Sequence, residues 1–215
     1  MIRRNENYII IEDHNLLFAA IPKCANTSIK EALVALLPAG TEIGRSKTGD
    51  PLVHRQETVP FTDTADKAVV LARTDCFRFG FVRNPWGRLV SAWHDKCINR
   101  PEVLPAFIPF GVYKGMPFAE FVHRVSDVDD EEAEIHFRSQ TGFLLHDGAL
   151  IVDFVGRFER LQKDWVVIQK LFDIGPLEHR TKGSHKPYRE YYTPVLRDQV
   201  ATRYKDDIAL FGYTF

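Results

Sequence analysis

The apolar run Leu16–Ile21 is short and unbroken, without alternation. That pattern suits a strand covered on both faces. Pro22 stops it, and the polar loop Lys23 to Ser28 follows. From Ile29 the period changes, and Ile29, Ala32, Leu33, Leu36 and Leu37 share one helical stripe. Asn26 or Thr27 can cap the helix, and Pro38-Ala39-Gly40 is its stop signal. Phe77–Val82 predicts a second strand of the same kind. Asn84-Pro85 then reads as a cap with proline at the first helical position. Leu89, Val90 and Trp93 mark the buried face of the helix that follows.

Other elements are arranged around this pair. Tyr8–Glu12 predicts a strand joined to Leu16–Ile21 by a turn at Asp13-His14-Asn15. Gly40–Asp66 is polar and irregular, and Ala65–Arg73 has room for a short helix. Ile98–Gly115 carries three prolines and reads as an irregular excursion. Pro117 starts a helix with Phe118, Phe121, Val122 and Val125 inward. The acidic run Asp127–Glu134 reads as a solvated face or a helix start. Leu150–Phe158 predicts a strand pair or a bent strand broken at Gly156. Leu161–Phe172 is an amphipathic helix on Leu161, Trp165, Ile168 and Phe172. Thr193-Pro194 caps one last helix, with Leu196, Val200, Tyr204 and Ile208 inward.

The chain has 215 residues, 45% of them hydrophobic, which is enough for one domain, 1–215, with a full core. Its formal charge of −1 gives no net basic footprint for nucleic acid, so any anion site must come from local clustering. Cys24, Cys76 and Cys97 are odd in number and far apart, with neither a disulfide framework nor a zinc spacing. No signal peptide or membrane-length apolar run is visible, so the expectation is a cytoplasmic protein.

The candidate chemistry lies in the two loops. A helix N-terminus behind a buried strand offers backbone N–H groups and the positive end of a dipole, which suits a phosphate. Lys23 adds a full charge there. Arg83 sits at the carboxyl end of the second strand, where ligands bind in open α/β sheets. Ser91 lies about two turns into the second helix. Two such units could grip both ends of one anionic ligand.

Taken together, PKCANTS and RNPWGRLVSAWHDK resemble the two cofactor-binding motifs of sulfotransferases that use 3′-phosphoadenosine-5′-phosphosulfate (PAPS). The matching positions are Pro22, Lys23, Thr27 and Ser28, then Arg83, Asn84, Pro85, Arg88 and Ser91. The likeness extends to Phe118–Val122, His136–Gln140, Asp153–Leu161 and the Tyr188–Phe215 tail. It is nearest to the carbohydrate sulfotransferases of the family 2 group, whose animal members are anchored in the Golgi membrane; no such anchor is visible here.

The resemblance implies an α/β fold, three-layered and P-loop-like, with a central, mostly parallel sheet flanked by helices. It implies that Lys23 stabilises the leaving oxygen, while Cys24, Ala25, Asn26, Thr27 and Ser28 hold the 5′-phosphate. Arg83 and Ser91 take the 3′-phosphate, with Arg88 either touching the ligand or bracing a neighbour. In the basic, aromatic stretch His179–Tyr192, the positions Lys182, Gly183 and Ser184 are where relatives close over the nucleotide. Such transfer needs no metal. For the general base the order is His54, then His136, then Glu57. The acceptor is a glycan or another small hydroxyl compound, and Trp86, Phe110 and Tyr113 could line a sugar site. Two other readings stand beside this one. A P-loop kinase would need the G-x-x-x-x-G-K-[ST] loop, whose glycines are missing here. A nucleotide- or glycan-binding module without turnover would have less need of Lys23.

Overall fold

The structure is a computed structural model that describes residues 8–41, 44, 53, 61–178 and 186–215. In chain order the elements are β1 (Tyr8–Ile11), β2 (Leu16–Ala19), α1 (Asn26–Leu33), β3 (Thr62–Thr64), α2 (Lys67–Ala72), β4 (Phe77–Val82), α3 (Pro85–Trp93), α4 (Phe118–Ser126) and α5 (Thr141–Leu144). Then come β5 (Leu145–His146), β6 (Ala149–Leu150), β7 (Phe154–Arg157), α6 (Leu161–Phe172), α7 (Pro194–Arg203) and α8 (Lys205–Phe211). They form two compact units. One comprises the described residues of 8–82 and 144–178, the other those of 83–143 and 186–215.

The first unit holds a mixed five-stranded sheet in the order β3-β1-β2-β4-β7. β2, β4 and β7 are parallel neighbours, whereas β1 runs antiparallel to both β2 and β3. Only β1 therefore opposes the other strands. Both β1 and β2 are buried along their whole length, as their unbroken apolar runs require. β3 was not expected. It is a three-residue strand without an apolar face, paired on one side only, so its sequence carries no period to read.

Aromatic packing fixes one face of the sheet. Phe18 stacks on Phe79 at 4.9 Å, and the Trp165 ring of α6 lies 6.3 Å from Phe79 and 6.4 Å from Phe81. Trp165 Nε1 also donates to the Gly175 carbonyl at 3.0 Å, which secures the end of α6. β7 runs straight through Gly156 and is not broken there. Gly156 pairs with Phe81, and a Cβ at this position would overlap the Phe81 ring. The glycine makes room for the ring; it does not end the strand. The small hairpin β5–β6 turns at Asp147-Gly148, both at positive φ, which a two-residue primed turn requires.

The second unit is helical. α3, α4 and α7 enclose a core that includes Phe107, Met116, Phe137 and Val200. The proline-rich stretch 98–115 is more regular than expected. α3 continues as a π turn over His94–Asn99, and Pro105–Phe110 forms a 3-10 turn. The last helix is in fact two, α7 and α8, meeting at Tyr204. That phenol is buried, donates to the Phe137 carbonyl at 2.7 Å, and is pushed by burial to a pKa of about 12.

The acidic run is not simply solvated. Asp130 turns inward, accepting from Ser139 N–H at 2.7 Å, from Ser139 Oγ, and from Arg203 at 2.9 Å. Burial opposes its ionisation, but these donors outweigh it and hold the carboxyl below its usual range. All three cysteines are buried thiols outside any disulfide. No helix among the described residues is long and apolar enough to cross a membrane.

Two outcomes follow from this packing. Gly156→Ala should lower unfolding free energy by about 1–3 kcal/mol through overpacking, with partial recovery when Phe81→Leu removes the ring; urea unfolding of the two variants checks this. Asp130→Asn should cost about 1.5–3 kcal/mol at neutral pH, the range for hydrogen bonds to a charged group. The folded-state pKa of Asp130 lies below its unfolded value of 3.8, so its stabilisation is complete above that value and lost as pH falls through the folded value. Wild type should therefore lose more stability than the variant on acidification to about pH 3. Parallel pH profiles would contradict the assignment.

Candidate active site

The first anion grip expected from the sequence lies between β2 and α1, and the backbone there is unusual. Lys23 has φ of 70° and Ala25 has φ of 64°, both left-handed without being glycine. Each such residue costs about 1–3 kcal/mol and is kept where surrounding structure over-determines it, most often at ligand sites. The expected cap is corrected. Ala25, not Asn26 or Thr27, is the N-cap, and it has no side chain with which to cap. Asn26 instead donates from Nδ2 to the Ala20 carbonyl at 3.2 Å, tying α1 back to the end of β2. The first-turn amides thus start behind a residue that offers them no hydroxyl or carboxylate, an arrangement suited to an anion. Lys23, Ala25, Asn26, Thr27 and Ser28 are half-buried, whereas Cys24 is buried with Sγ turned to the Pro22 carbonyl at 3.7 Å. Cys24 can contribute its backbone here, not its thiol.

The second grip is built on β4 and α3. Asn84 caps α3 with its side chain, accepting from Trp86 N–H at 3.2 Å, and Pro85 occupies the first turn. Every residue of α3 is buried except Ser91. Arg83, just before the cap, is half-buried too. Gly87 lies between them at helical spacing, and a Cβ there would sit 3.7 Å from Arg83 Nε. The two residues singled out for an anion are thus the ones this buried stretch leaves accessible. Arg88 resolves as a brace. It is 2% exposed and donates to the Arg138 carbonyl at 2.6 Å and the Ile135 carbonyl at 3.1 Å.

Those two carbonyls flank His136, the second base candidate. Glu134 accepts from the His136 backbone N–H at 2.8 Å and lies 2.9 Å from its Nδ1. A carboxylate on Nδ1 places the proton there in the neutral ring and leaves the lone pair on Nε2, the form a general base needs. Phe107 packs on the ring at 5.8 Å. Glu134 was missed because it sits in the acidic run; its spacing two residues before a histidine was the available signal. Gln140 closes the His136–Gln140 stretch of the resemblance, but its buried partner Asp207 was missed. Asp207 falls on the apolar stripe of Val200, Tyr204 and Phe211, where an acid without a partner would not be placed.

Several expected positions fare differently. Trp86 is core, not sugar platform: it is 4% exposed and donates from Nε1 to the Arg197 carbonyl at 3.0 Å. Phe110 packs edge-on against Phe137, while Tyr113 is exposed and bonded to Glu120. His54, Glu57, Lys182, Gly183 and Ser184 lie outside the described residues. Among the described residues there is no cluster of three or more His, Cys, Asp or Glu side chains that could hold a metal ion.

Comparison with known proteins agrees with the motifs. The family model described as "Sulfotransferase family" matches residues 6–214. "Carbohydrate sulfotransferase 10" of Homo sapiens is 25% identical over 244 residues, covering 97% of this chain and 67% of that protein. The Gallus gallus protein of the same name is 24% identical, covering 97% and 66%. "Carbohydrate sulfotransferase 14" of Danio rerio is 25% identical, covering 97% of this chain and 62% of its own length. No solved structure matches. With both motifs inside a match that runs nearly end to end, the chain belongs to the sulfotransferase family.

Proposed function

We propose that this sulfotransferase moves a sulfuryl group from PAPS to a hydroxyl on a carbohydrate. The observation that carries the donor assignment is the accessible pair Arg83 and Ser91 on an otherwise buried stretch. PAPS differs from ATP in its 3′-phosphate, and a second cationic grip is what that group needs. The β2–α1 loop supports the other end of the donor through Lys23 and the amides of Ala25–Ser28. The carbohydrate acceptor is supported by the names of the relatives, all carbohydrate sulfotransferases. The same evidence favours a three-layer, P-loop-like fold, since β2 and β4 are parallel neighbours that each lead into a loop and a helix. The family match runs through both compact units, which supports reading 1–215 as one sulfotransferase domain.

When bound, the donor supplies an activated sulfuryl group whose leaving oxygen gains negative charge. Lys23 stabilises that charge more in the transition state than in the ground state, and the loop amides need no reorganisation to do the same. Arg83 offers a planar, forked donor to a phosphate, and Ser91 a hydroxyl. His136 takes the acceptor's proton at Nε2, with Glu134 holding Nδ1 and stabilising the imidazolium that forms. His54 is the competing base.

A transfer assay with PAPS against a panel of sugars, phenols and steroids, read by mass gain, tests the reading. Product only with phenols or steroids would overturn the acceptor class, and turnover with ATP alone would overturn the donor. Lys23→Ala should lower turnover by about 10²–10³-fold, as removal of one oxyanion donor does, while binding of adenosine 3′,5′-bisphosphate weakens much less. His136→Ala should lower turnover by about 10²–10⁴-fold and remove the acid limb of the pH–rate profile. Glu134→Gln should reduce turnover without weakening donor binding. If His54→Ala removes the acid limb and His136→Ala preserves it, the base is His54.

A further inference from the structure

Arg83 lies in a gap between elements. β4 has ended at Val82, and the first helical carbonyl of α3 is that of Asn84, which accepts from Arg88 N–H at 2.8 Å. Neither a strand ladder nor a helix therefore fixes its backbone. Gln140, which is wholly buried, does so through a single side-chain amide. Its Oε1 accepts from Arg83 N–H at 2.7 Å, and its Nε2 donates to the Arg83 carbonyl at 2.8 Å. This two-point clamp imitates a pair of strand hydrogen bonds.

The clamp can close in only one sense, and Asp207 sets that sense. Gln140 Nε2 also donates to Asp207 Oδ2 at 3.1 Å, so the amide cannot be turned over without bringing two acceptors together. Asp207 is itself fully buried on α8, and it accepts from Gln140 N–H at 2.9 Å, Thr141 N–H at 2.7 Å and Thr141 Oγ1 at 3.0 Å. A buried carboxylate is tolerated only when its lone pairs are filled in this way. The chain of bonds runs from α8 through Gln140 to the Arg83 backbone.

We infer that Gln140, oriented by Asp207, is a positioning residue that sets Arg83 for recognition of the donor's 3′-phosphate. The inference rests on the reading of Arg83 as a donor contact. A purely structural role would weaken nucleotide binding without regard to the 3′-phosphate, and would act independently of Arg83. A positioning role acts through Arg83 and so vanishes when its guanidinium is removed.

The test measures dissociation constants by calorimetry for adenosine 3′,5′-bisphosphate and for adenosine 5′-monophosphate, which lacks the 3′-phosphate. The proteins are wild type, Gln140→Met, Arg83→Ala and the double variant, with thermal unfolding recorded for each. Gln140→Met keeps the side chain's size and loses its hydrogen bonds. It should weaken the bisphosphate about tenfold and the monophosphate by less than about twofold, and add nothing in the Arg83→Ala background, as coupled neighbours do. Asp207→Asn, one bond further from Arg83 and milder, should show the same selectivity loss at smaller size; it decides the matter if Gln140→Met does not fold. Equal weakening of both nucleotides, or full additivity with Arg83→Ala, overturns the inference. If Arg83→Ala weakens the bisphosphate and Gln140→Met does not, the inference fails alone. If Arg83→Ala leaves bisphosphate affinity unchanged, the donor role of Arg83 fails, and the inference fails with it.

Discussion

The parallel pairing of β2 with β4 is the constraint on which the site depends. Ala19 lies opposite Gly80, so the two strands end at one edge of the sheet, and the chain leaves each of them into a polar loop. Parallel neighbours need buried crossovers, which explains why β2 is apolar along its length, why β4 is buried from Phe79 to Val82, and why an aromatic layer of Phe18, Phe79, Phe81 and Trp165 covers one face. Gly156 admits the close approach of the Phe81 ring that this layer needs, and Gly80, on the other face, admits Leu144 and Ala19. Polar loops at the ends of rigid strands then place charge with little freedom to drift.

The near-neutral chain concentrates its electrostatics in a few places. Lys23 stands at a helix start and Arg83 before another, so an anion there would meet a side-chain cation and the positive end of a backbone dipole together. In the helical unit, carboxylates serve the fold itself. Asp130 and Asp207 accept backbone and side-chain donors, and Glu134 orients a histidine. The acids outnumber the bases slightly in the whole chain, yet in the helical unit several act as fasteners of the segment 130–141 and add little surface charge.

What could be read directly from the sequence was a period or an unbroken apolar run. β4, α4 and α6 were legible because their apolar positions repeat at strand or helix spacing, and β2 because its apolar run is continuous. The donor loops were legible because twice a buried run gives way within three residues to a cation and a proline ahead of a helical period. β3 and the β5–β6 hairpin were too short to show a period, although Asp147-Gly148 is a turn signal that was passed over. The break between α7 and α8 depends on a bond from Tyr204 to Phe137, 67 residues away, which no local pattern encodes. Glu134 and Asp207 were hidden for the same reason: their work is tertiary, and in isolation each reads as an ordinary polar residue, while Gln140 stood out only through the resemblance of the His136–Gln140 stretch.

The left-handed backbone at Lys23 and Ala25 has a consequence for affinity. Phosphate-binding loops commonly reach such angles with glycine, which is free to leave them again. A residue with a Cβ has far fewer conformations available in the absence of ligand, so a loop built from lysine and alanine surrenders less entropy when an anion arrives. The strain is stored once, during folding.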